Sequence, residues 1–206
     1  MKRLSTVFTS VLLACLLSVA VSKVNAKEFV EGTDFVKVSG IPESNQPVVR
    51  EFFSYNCGHC YRQDPHFEQV AKLLDKSITF THTPVGAGRE SWMLSQQAFF
   101  VAQKLQMGKL MHGQIFNHIH QQQGPFTRPQ QVVDLFVANG ADANKVEALM
   151  ASADMQLSLS NYDSQTQLSG IRGVPAILVN GQYMVNNTSR PAAELAELLT
   201  YLANLK

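Results

Sequence analysis

Two cysteines separated by two residues carry the clearest chemistry in this sequence: Cys57 and Cys60, with Gly58 and His59 between them. The thiolate form of a cysteine attacks and exchanges disulfide bonds. An apolar run typical of a strand ends just before the pair, and an apolar spacing of three and four residues, typical of a helix, begins just after it. Cys57 is therefore predicted at a helix N-terminus, where unpaired backbone N–H groups and the helix dipole stabilise an anion.

The pair is predicted to form a redox-active disulfide in which the two sulfur atoms have different tasks. Cys57 has the exposed position and is predicted to be the nucleophile, whereas Cys60, one helical turn later, is predicted to be the shielded resolving thiol. His59 lies in the first helical turn, where it adds a positive charge or a hydrogen bond near the Cys57 sulfur. The alternative is that His59 is a spacer that faces solvent.

A single acidic residue lies in the predicted strand that leads into the pair. Glu51 stands among the β-branched and aromatic residues of the run 48–53, where nearly all of its neighbours are apolar. Two interpretations are open. Either Glu51 faces water or a salt bridge, or it is a partly buried acid near the cysteines that accepts or relays protons during exchange.

Residues 1–26 are predicted to be a signal peptide that is removed. Lys2 and Arg3 form a charged start, residues 7–21 are apolar, and residues 24–26 resemble a small-residue cleavage site. Two alternatives are a retained membrane anchor, for which the apolar run is short, and a lipoprotein signal around Cys15. An exported chain would meet an oxidising compartment, in which disulfides persist.

Loss of this leader changes the charge and the cysteine count. The formal net charge falls from +1 to −2, so no basic patch indicates binding to nucleic acid or anionic lipid. Only Cys57 and Cys60 remain, and so small a disulfide loop gives little stability, which favours a chemical role. A zinc site usually needs four ligands and a second such pair, so no metal is predicted.

The remaining pattern predicts the elements that position the pair. Strand, helix and strand over residues 48–83 indicate a βαβ unit and therefore a parallel sheet. Residues 85–162 are predicted to be a helical insert, including a capping box at residues 127–130. Its histidines 112, 118 and 120 share no helix face, which argues against a metal site. The predicted parts are a first segment 27–84, the insert 85–162 and a second segment 163–206.

With these elements in order, the chain resembles the thioredoxin superfamily, and within it the DsbA family of periplasmic disulfide oxidoreductases. The similarity lies in Glu51-Phe52-Phe53-Ser54 before the motif and in residues 172–176 and 179–181 near the C-terminus. The resemblance implies an α/β, thioredoxin-like fold. A helical domain would be inserted between its third strand and a hairpin preceded by a cis-proline.

The resemblance also implies roles for single residues. Cys57 would be the attacking thiol and Cys60 its partner, and Glu51 matches the buried acid of the family. Pro175 would be cis and face the disulfide. The exposed backbone at Val174 would then let a substrate chain lie beside Cys57 as an added strand.

Family members oxidise the cysteines of newly exported proteins and are reoxidised by a quinone-linked membrane partner. The resemblance therefore implies a periplasmic disulfide oxidase without a cofactor, with unfolded reduced proteins and a DsbB-like membrane oxidase as partners. A monomer is expected, because no dimerisation domain is added. One departure is Gly58, where the best-known members have proline. Gly-His is characteristic of protein disulfide isomerases, so an isomerase or reductase in the same compartment is the alternative.

Overall fold

The computed structural model describes residues 28–43 and 46–205, so the predicted signal peptide lies outside the described residues. In chain order the elements are β1 (Phe35–Lys37), β2 (Val48–Phe53), α1 (Gly58–Leu73), β3 (Thr79–Pro84), α2 (Glu90–Lys104), α3 (Gly108–Asn117), a π-helical turn (His118–Gln122), α4 (Pro129–Ala138), α5 (Ala143–Met150), α6 (Ala153–Ser169), β4 (Ala176–Val179), β5 (Tyr183–Val185) and α7 (Ala192–Ala203). Among the described helices, none has the length and hydropathy needed to span a bilayer.

The five strands form one mixed sheet in the order β1-β5-β4-β2-β3. Strands β2 and β3 are parallel, which confirms the predicted βαβ unit, and the other neighbouring strands are antiparallel. β4 and β5 form the predicted hairpin at Asn180-Gly181, where both residues have positive φ, as a tight two-residue turn requires. The α/β thioredoxin-like fold implied by the sequence is therefore confirmed.

Helix α1 begins directly after Cys57, whose side chain accepts a hydrogen bond from the backbone N–H of Cys60. Phe67 and Val70 on this helix are buried and pack with α7 against one face of the sheet. Pro65 lies inside the helix, five residues after the second cysteine. Burial of this apolar face fixes the helix on the sheet and thereby places its N-terminus at the end of β2.

Helices α2 to α6 form the insert between β3 and β4. Its core contains large side chains that are almost fully buried, among them Phe100, Met111, Phe116, Phe136 and Met155. The same core includes Phe53, Tyr55 and Cys60 from the sheet-bearing part of the chain. The insert therefore packs directly against the segment that carries the cysteine pair.

One sequence-based detail differs from the structure. The capping box is shifted by one residue, because the Gln131 side chain, and not that of Gln130, accepts the hydrogen bond from the backbone N–H of Arg128. Helix α6 crosses the predicted boundary at residue 162. Its C-terminal half reaches the sheet, where Gln165 Oε1 accepts a hydrogen bond of 2.8 Å from Thr83 Oγ1.

Candidate active site

The cysteine pair lies at the junction of β2 and α1, as predicted. Cys57 is the N-cap residue of α1 with extended backbone angles, and its Sγ atom lies 3.3 Å from the backbone nitrogen of Cys60. Cys57 is half-buried, whereas Cys60 is buried. Both residues are thiols here, so this geometry is that of the reduced protein.

The surroundings of Cys57 lower its pKa to about 6. The largest cause is the hydrogen bond from the Cys60 thiol, which partial burial opposes, and the backbone N–H groups of Cys60 and His59 and the charge of His59 add to it. A pKa about one unit below neutral pH leaves about nine tenths of this thiol ionised at pH 7. Cys57 is therefore a thiolate under ordinary conditions.

The pKa of Cys60 moves in the opposite direction. Its hydrogen bond to Cys57 and its burial raise the pKa of this thiol far above the usual range, and the nearby charge of Glu51 adds to the effect. Only 1% of its surface is exposed. The two thiols of one motif thus differ in both access and acidity, which is the difference required for an attacking thiol and a resolving thiol.

His59 and Gly58 form the exposed start of α1. His59 is exposed and contributes a backbone N–H group and a positive charge toward Cys57. A side chain at Gly58 would begin 3.3 Å from Arg62 Nη1, so the guanidinium of the next helical turn lies over the glycine. The glycine of this motif thus leaves room for a second basic group near the helix N-terminus.

Glu51 is buried, with 4% of its surface exposed. It lies opposite His82 in the parallel register of β2 and β3, and its Oε2 atom is 3.4 Å from His82 Nε2. The expectation that Glu51 faces water is therefore wrong, because its carboxyl group is buried and faces His82. The sequence alone does not indicate this contact, because Glu51 and His82 lie on different strands and meet only through the register of β2 and β3.

Val174 and Pro175 lie directly beside the attacking sulfur. The peptide bond between them is cis, as the resemblance implies, and the Val174 carbonyl oxygen is 3.4 Å from Cys57 Sγ. Both residues are partly exposed. Their backbone therefore forms an edge next to the sulfur on which an extended chain can be placed.

The helical insert holds the loop between β2 and α1 through residues to which the sequence alone assigned no role at the cysteine pair. Asn56 Nδ2 donates hydrogen bonds to Ser95 Oγ and to the carbonyl of Ser91, at 2.8 and 3.1 Å. His120 Nε2 donates to the carbonyl of Tyr55 at 2.8 Å. The loop that precedes Cys57 is thus fixed from the side of the insert.

His112 makes a second contact with the same loop. Burial raises the pKa of Tyr55 well above its usual value, so its hydroxyl group is neutral and donates to His112 Nδ1 at 3.0 Å. His112 Nε2 in turn donates to Asp64 Oδ1 on α1 at 2.7 Å. Because these partners are far apart in the sequence, no local pattern could have indicated this chain of hydrogen bonds.

Within residues 28–43 and 46–205, no three histidine, cysteine or carboxylate side chains lie close enough together to bind a metal ion. The insert histidines do not cluster. His112 and His120 contact the active-site loop, whereas His118 is buried against Phe126, with ring centroids 4.7 Å apart. Burial lowers the pKa of His118.

Comparison with known proteins gives consistent results. The sequence model of the family described as "DSBA-like thioredoxin domain" matches residues 78–199. The thiol:disulfide interchange protein DsbA of Burkholderia cepacia is 30% identical over 190 residues, which cover 88% of this chain and 85% of that protein.

Solved structures show the same fold at lower identity. DsbA of Pseudomonas aeruginosa superposes with a TM-score of 0.76 and 24% identity, covering 85% of this chain and 93% of that one. A cysteine-to-serine variant of Proteus mirabilis DsbA, solved with the non-covalently bound peptide PWATCDS, gives a TM-score of 0.75 at 21% identity. The alignment covers 86% of this chain and 99% of that one.

Proposed function

This chain belongs to the DsbA family and is a thiol:disulfide oxidoreductase, and from that premise we propose that it donates the Cys57–Cys60 disulfide to newly exported proteins. The observation that supports this direction is the asymmetry of the pair. A Cys57 thiolate that is stable at neutral pH makes the reduced form more favourable and the disulfide correspondingly more oxidising.

The reaction proceeds through a mixed disulfide. A thiolate of the substrate attacks the Cys57 sulfur, the bond between the two sulfur atoms of the pair breaks, and Cys60 leaves with the electron pair. The second substrate thiolate then attacks the mixed disulfide and releases Cys57 as a thiolate. The substrate has lost two electrons, and the pair has gained them.

The substrate chain binds along Val174 and Pro175 as an added strand. Proline presents no N–H group of its own, and the backbone before it lies next to the attacking sulfur. The related Proteus mirabilis protein was solved with a cysteine-containing peptide. Pairing through the backbone suits a donor that must accept many unfolded sequences.

Two residues assist the sulfur chemistry of the pair. His59 stabilises the Cys57 thiolate by its charge and its backbone N–H group. Glu51, buried near Cys60, provides the proton that the leaving Cys60 thiolate needs and takes it back when Cys60 must attack again. Cys60 requires this help because its raised pKa disfavours the thiolate.

The cellular setting follows from the predicted leader and from the family. Residues 1–26 are removed on export, the mature protein is a monomer of the periplasm, and its substrates are unfolded exported proteins with reduced cysteines. A DsbB-like, quinone-linked membrane oxidase restores the disulfide. The mature chain consists of a thioredoxin-like segment 27–84, a helical insert 85–162 and a second thioredoxin-like segment 163–206.

Isomerase or reductase activity in the same compartment is the second candidate. Gly58 favours it, because glycine at the first helical position holds the first turn of α1 less rigidly than proline. A looser turn would stabilise the Cys57 thiolate less and make the disulfide less oxidising.

The test mixes the oxidised protein with an unfolded peptide that contains two reduced cysteines. An oxidase converts one peptide to its disulfide for each protein molecule, and Cys57→Ala abolishes this conversion. Supplying the protein in its reduced form together with a scrambled disulfide protein tests the isomerase. If only the reduced form is active, and the oxidised form transfers no disulfide, the proposed oxidase function is wrong.

A further inference from the structure

A cavity of about 280 Å³ lies behind the cysteine pair, between α1, β3, α2 and α3. Its walls include three phenylalanines, at 67, 80 and 99, and its polar groups come from separate elements: Asp64 and Glu68 on α1, His82 on β3, and Lys109 and His112 on α3. The volume is large enough for several water molecules, and polar groups to hold them are present. Neither Val174 nor Pro175 lines the cavity, so it is not the proposed substrate edge.

Cys60 needs a route for protons that the exposed face does not offer. Cys60 must gain a proton each time it leaves as a thiolate and lose one each time it attacks. Only 1% of its surface is exposed to solvent. Glu51 is close enough for its charge to raise the pKa of Cys60, but Glu51 is itself buried. A buried acid can pass protons repeatedly only if something connects it to water.

His82 is placed to make that connection. Its Nε2 atom is 3.4 Å from Glu51 Oε2, its side chain is 32% exposed, and the residue lines the cavity. Its Nδ1 atom has no hydrogen-bond partner among residues 28–43 and 46–205. Imidazole can take a proton on one nitrogen and release it from the other, and it does so near neutral pH.

The other histidine of the cavity is not free to do the same. His112 uses both ring nitrogens, one with the Tyr55 hydroxyl and the other with Asp64. The rings of His82 and His112 lie 5.4 Å apart, and Asp64, Glu68 and Lys109 line the same cavity from the neighbouring helices. These groups face the cavity beside His82 but are not part of the route.

We propose that His82 is a positioning and proton-relaying residue that connects Glu51, and through it Cys60, to water in the cavity behind the active site. This inference rests on the proposed function. When Cys60 leaves as a thiolate, Glu51 gives it a proton, His82 replaces the proton on Glu51, and cavity water replaces the one on His82. The steps reverse when Cys60 attacks, and no electrons pass along this route.

The step to measure is the attack of Cys60 on a mixed disulfide. Reduced protein is mixed with excess oxidised glutathione. Cys57 first forms a mixed disulfide, and Cys60 then displaces the glutathione in a unimolecular step that requires loss of its proton. Acid quenching and mass spectrometry separate the two steps for the wild type, His82→Gln and His82→Ala, with His118→Gln as a control in which an insert histidine outside the route is replaced.

The relay predicts that His82→Gln slows the second step by about tenfold or more near neutral pH while the first step is unchanged, because only the second needs proton removal from Cys60. Added imidazole should restore much of this rate in His82→Ala by occupying the opened cavity. His118→Gln should resemble the wild type in both steps.

Two results would overturn the relay. One is a second step in His82→Gln that matches the wild type at every pH between about 6 and 8, the range in which imidazole titrates. The other is a slowed second step that imidazole does not restore, which would mean that His82 acts only by supporting the local structure. Both leave the proposed function intact if the wild type still oxidises the two-cysteine peptide, whereas failure of the wild type in that assay would count against the function itself.

Discussion

The sheet-bearing part and the helical insert meet at the active site, but they contribute different things to it. The sheet and α1 supply the atoms of the proposed chemistry: both sulfur atoms, the buried carboxylate of Glu51 and the cis-proline edge. The insert supplies contacts to the loop before Cys57, through Ser91 and Ser95 on Asn56 and through His112 and His120 on Tyr55. Chemistry and positioning are thus divided between two parts of one chain.

This division has a testable consequence. Changes on the sheet side should remove or retune the sulfur chemistry while the fold persists. Changes on the insert side of this contact should lower the free energy of unfolding and loosen the loop before Cys57, while the cysteines remain able to react. The predictions below begin with the change that should separate these two effects most strongly.

Cys60→Ala should abolish turnover while leaving Cys57 able to form a mixed disulfide. Without a resolving thiol the mixed disulfide accumulates, and without the Cys60 hydrogen bond the pKa of Cys57 rises, because that bond is the largest cause of its depression. Mass spectrometry of the trapped species and the ultraviolet absorbance of the thiolate as a function of pH measure the two effects. Continued multiple turnover by this variant would contradict the assignment of the two sulfur atoms.

Phe116→Ala should have the largest effect on stability from the insert side. The ring is almost fully buried and contacts the rings of Phe53, Tyr55 and Tyr61 at centroid distances of 4.8 to 6.1 Å. Loss of such a ring from a packed core lowers the free energy of unfolding by about 3–5 kcal/mol. Urea unfolding measures the loss, with Phe116→Leu as a milder control. A loss below about 1 kcal/mol would mean that the insert does not support the loop as described.

The stability of the reduced protein relative to the oxidised protein should depend on pH through Cys57. Its pKa is lowered to about 6 in the folded protein, against about 8.5 in an unfolded chain. The stabilisation is therefore fully present above about pH 8.5 and is lost as the pH falls through 6. Parallel unfolding of the two redox forms measures it, and solvent reduces its size because Cys57 is only half-buried. Cys57→Ala forms no Cys57–Cys60 disulfide, so its unfolding is compared with that of the reduced wild type. The change in stability with pH that the wild type shows over this window should be absent from the variant; if it persists, another group is responsible.

Gly58→Pro should have the smallest effect. Proline suits the first position of a helix, and the N–H groups that lower the pKa of Cys57 belong to His59 and Cys60, so none of them is removed. We expect about 0.5–1 kcal/mol of added stability in the reduced form and a somewhat more oxidising disulfide. In Gly58→Ala the added Cβ atom would lie 3.3 Å from Nη1 of the flexible Arg62 side chain. This variant separates the effect of proline from the effect of adding any side chain. A less oxidising Gly58→Pro variant would contradict this explanation of the glycine.

The two parts also differ in how much of them could be predicted. The strand before Cys57, the helix that begins at it and the parallel pairing of β2 with β3 depend on alternation and spacing within short segments, and the structure confirms them. The hairpin at Asn180-Gly181 was predictable for the same reason, because those residue types adopt positive φ easily.

The contacts across the two parts could not be predicted in this way. The Tyr55–His112 hydrogen bond joins residues 57 positions apart, and the Asn56–Ser95 bond joins residues 39 apart. The Glu51–His82 pair required the register of two strands as well as their existence.

The central claim is that this pair of cysteines prefers to be reduced, because Cys57 is stabilised as a thiolate. The most direct measurement is the equilibrium of the protein with mixtures of reduced and oxidised glutathione, in which mass tags count the free thiols of Cys57 and Cys60. We predict that the pair stays reduced until the mixture is strongly oxidising. A pair that is already oxidised in a strongly reducing mixture would contradict this account. The protein would then be a reductase, or its disulfide would have a structural role.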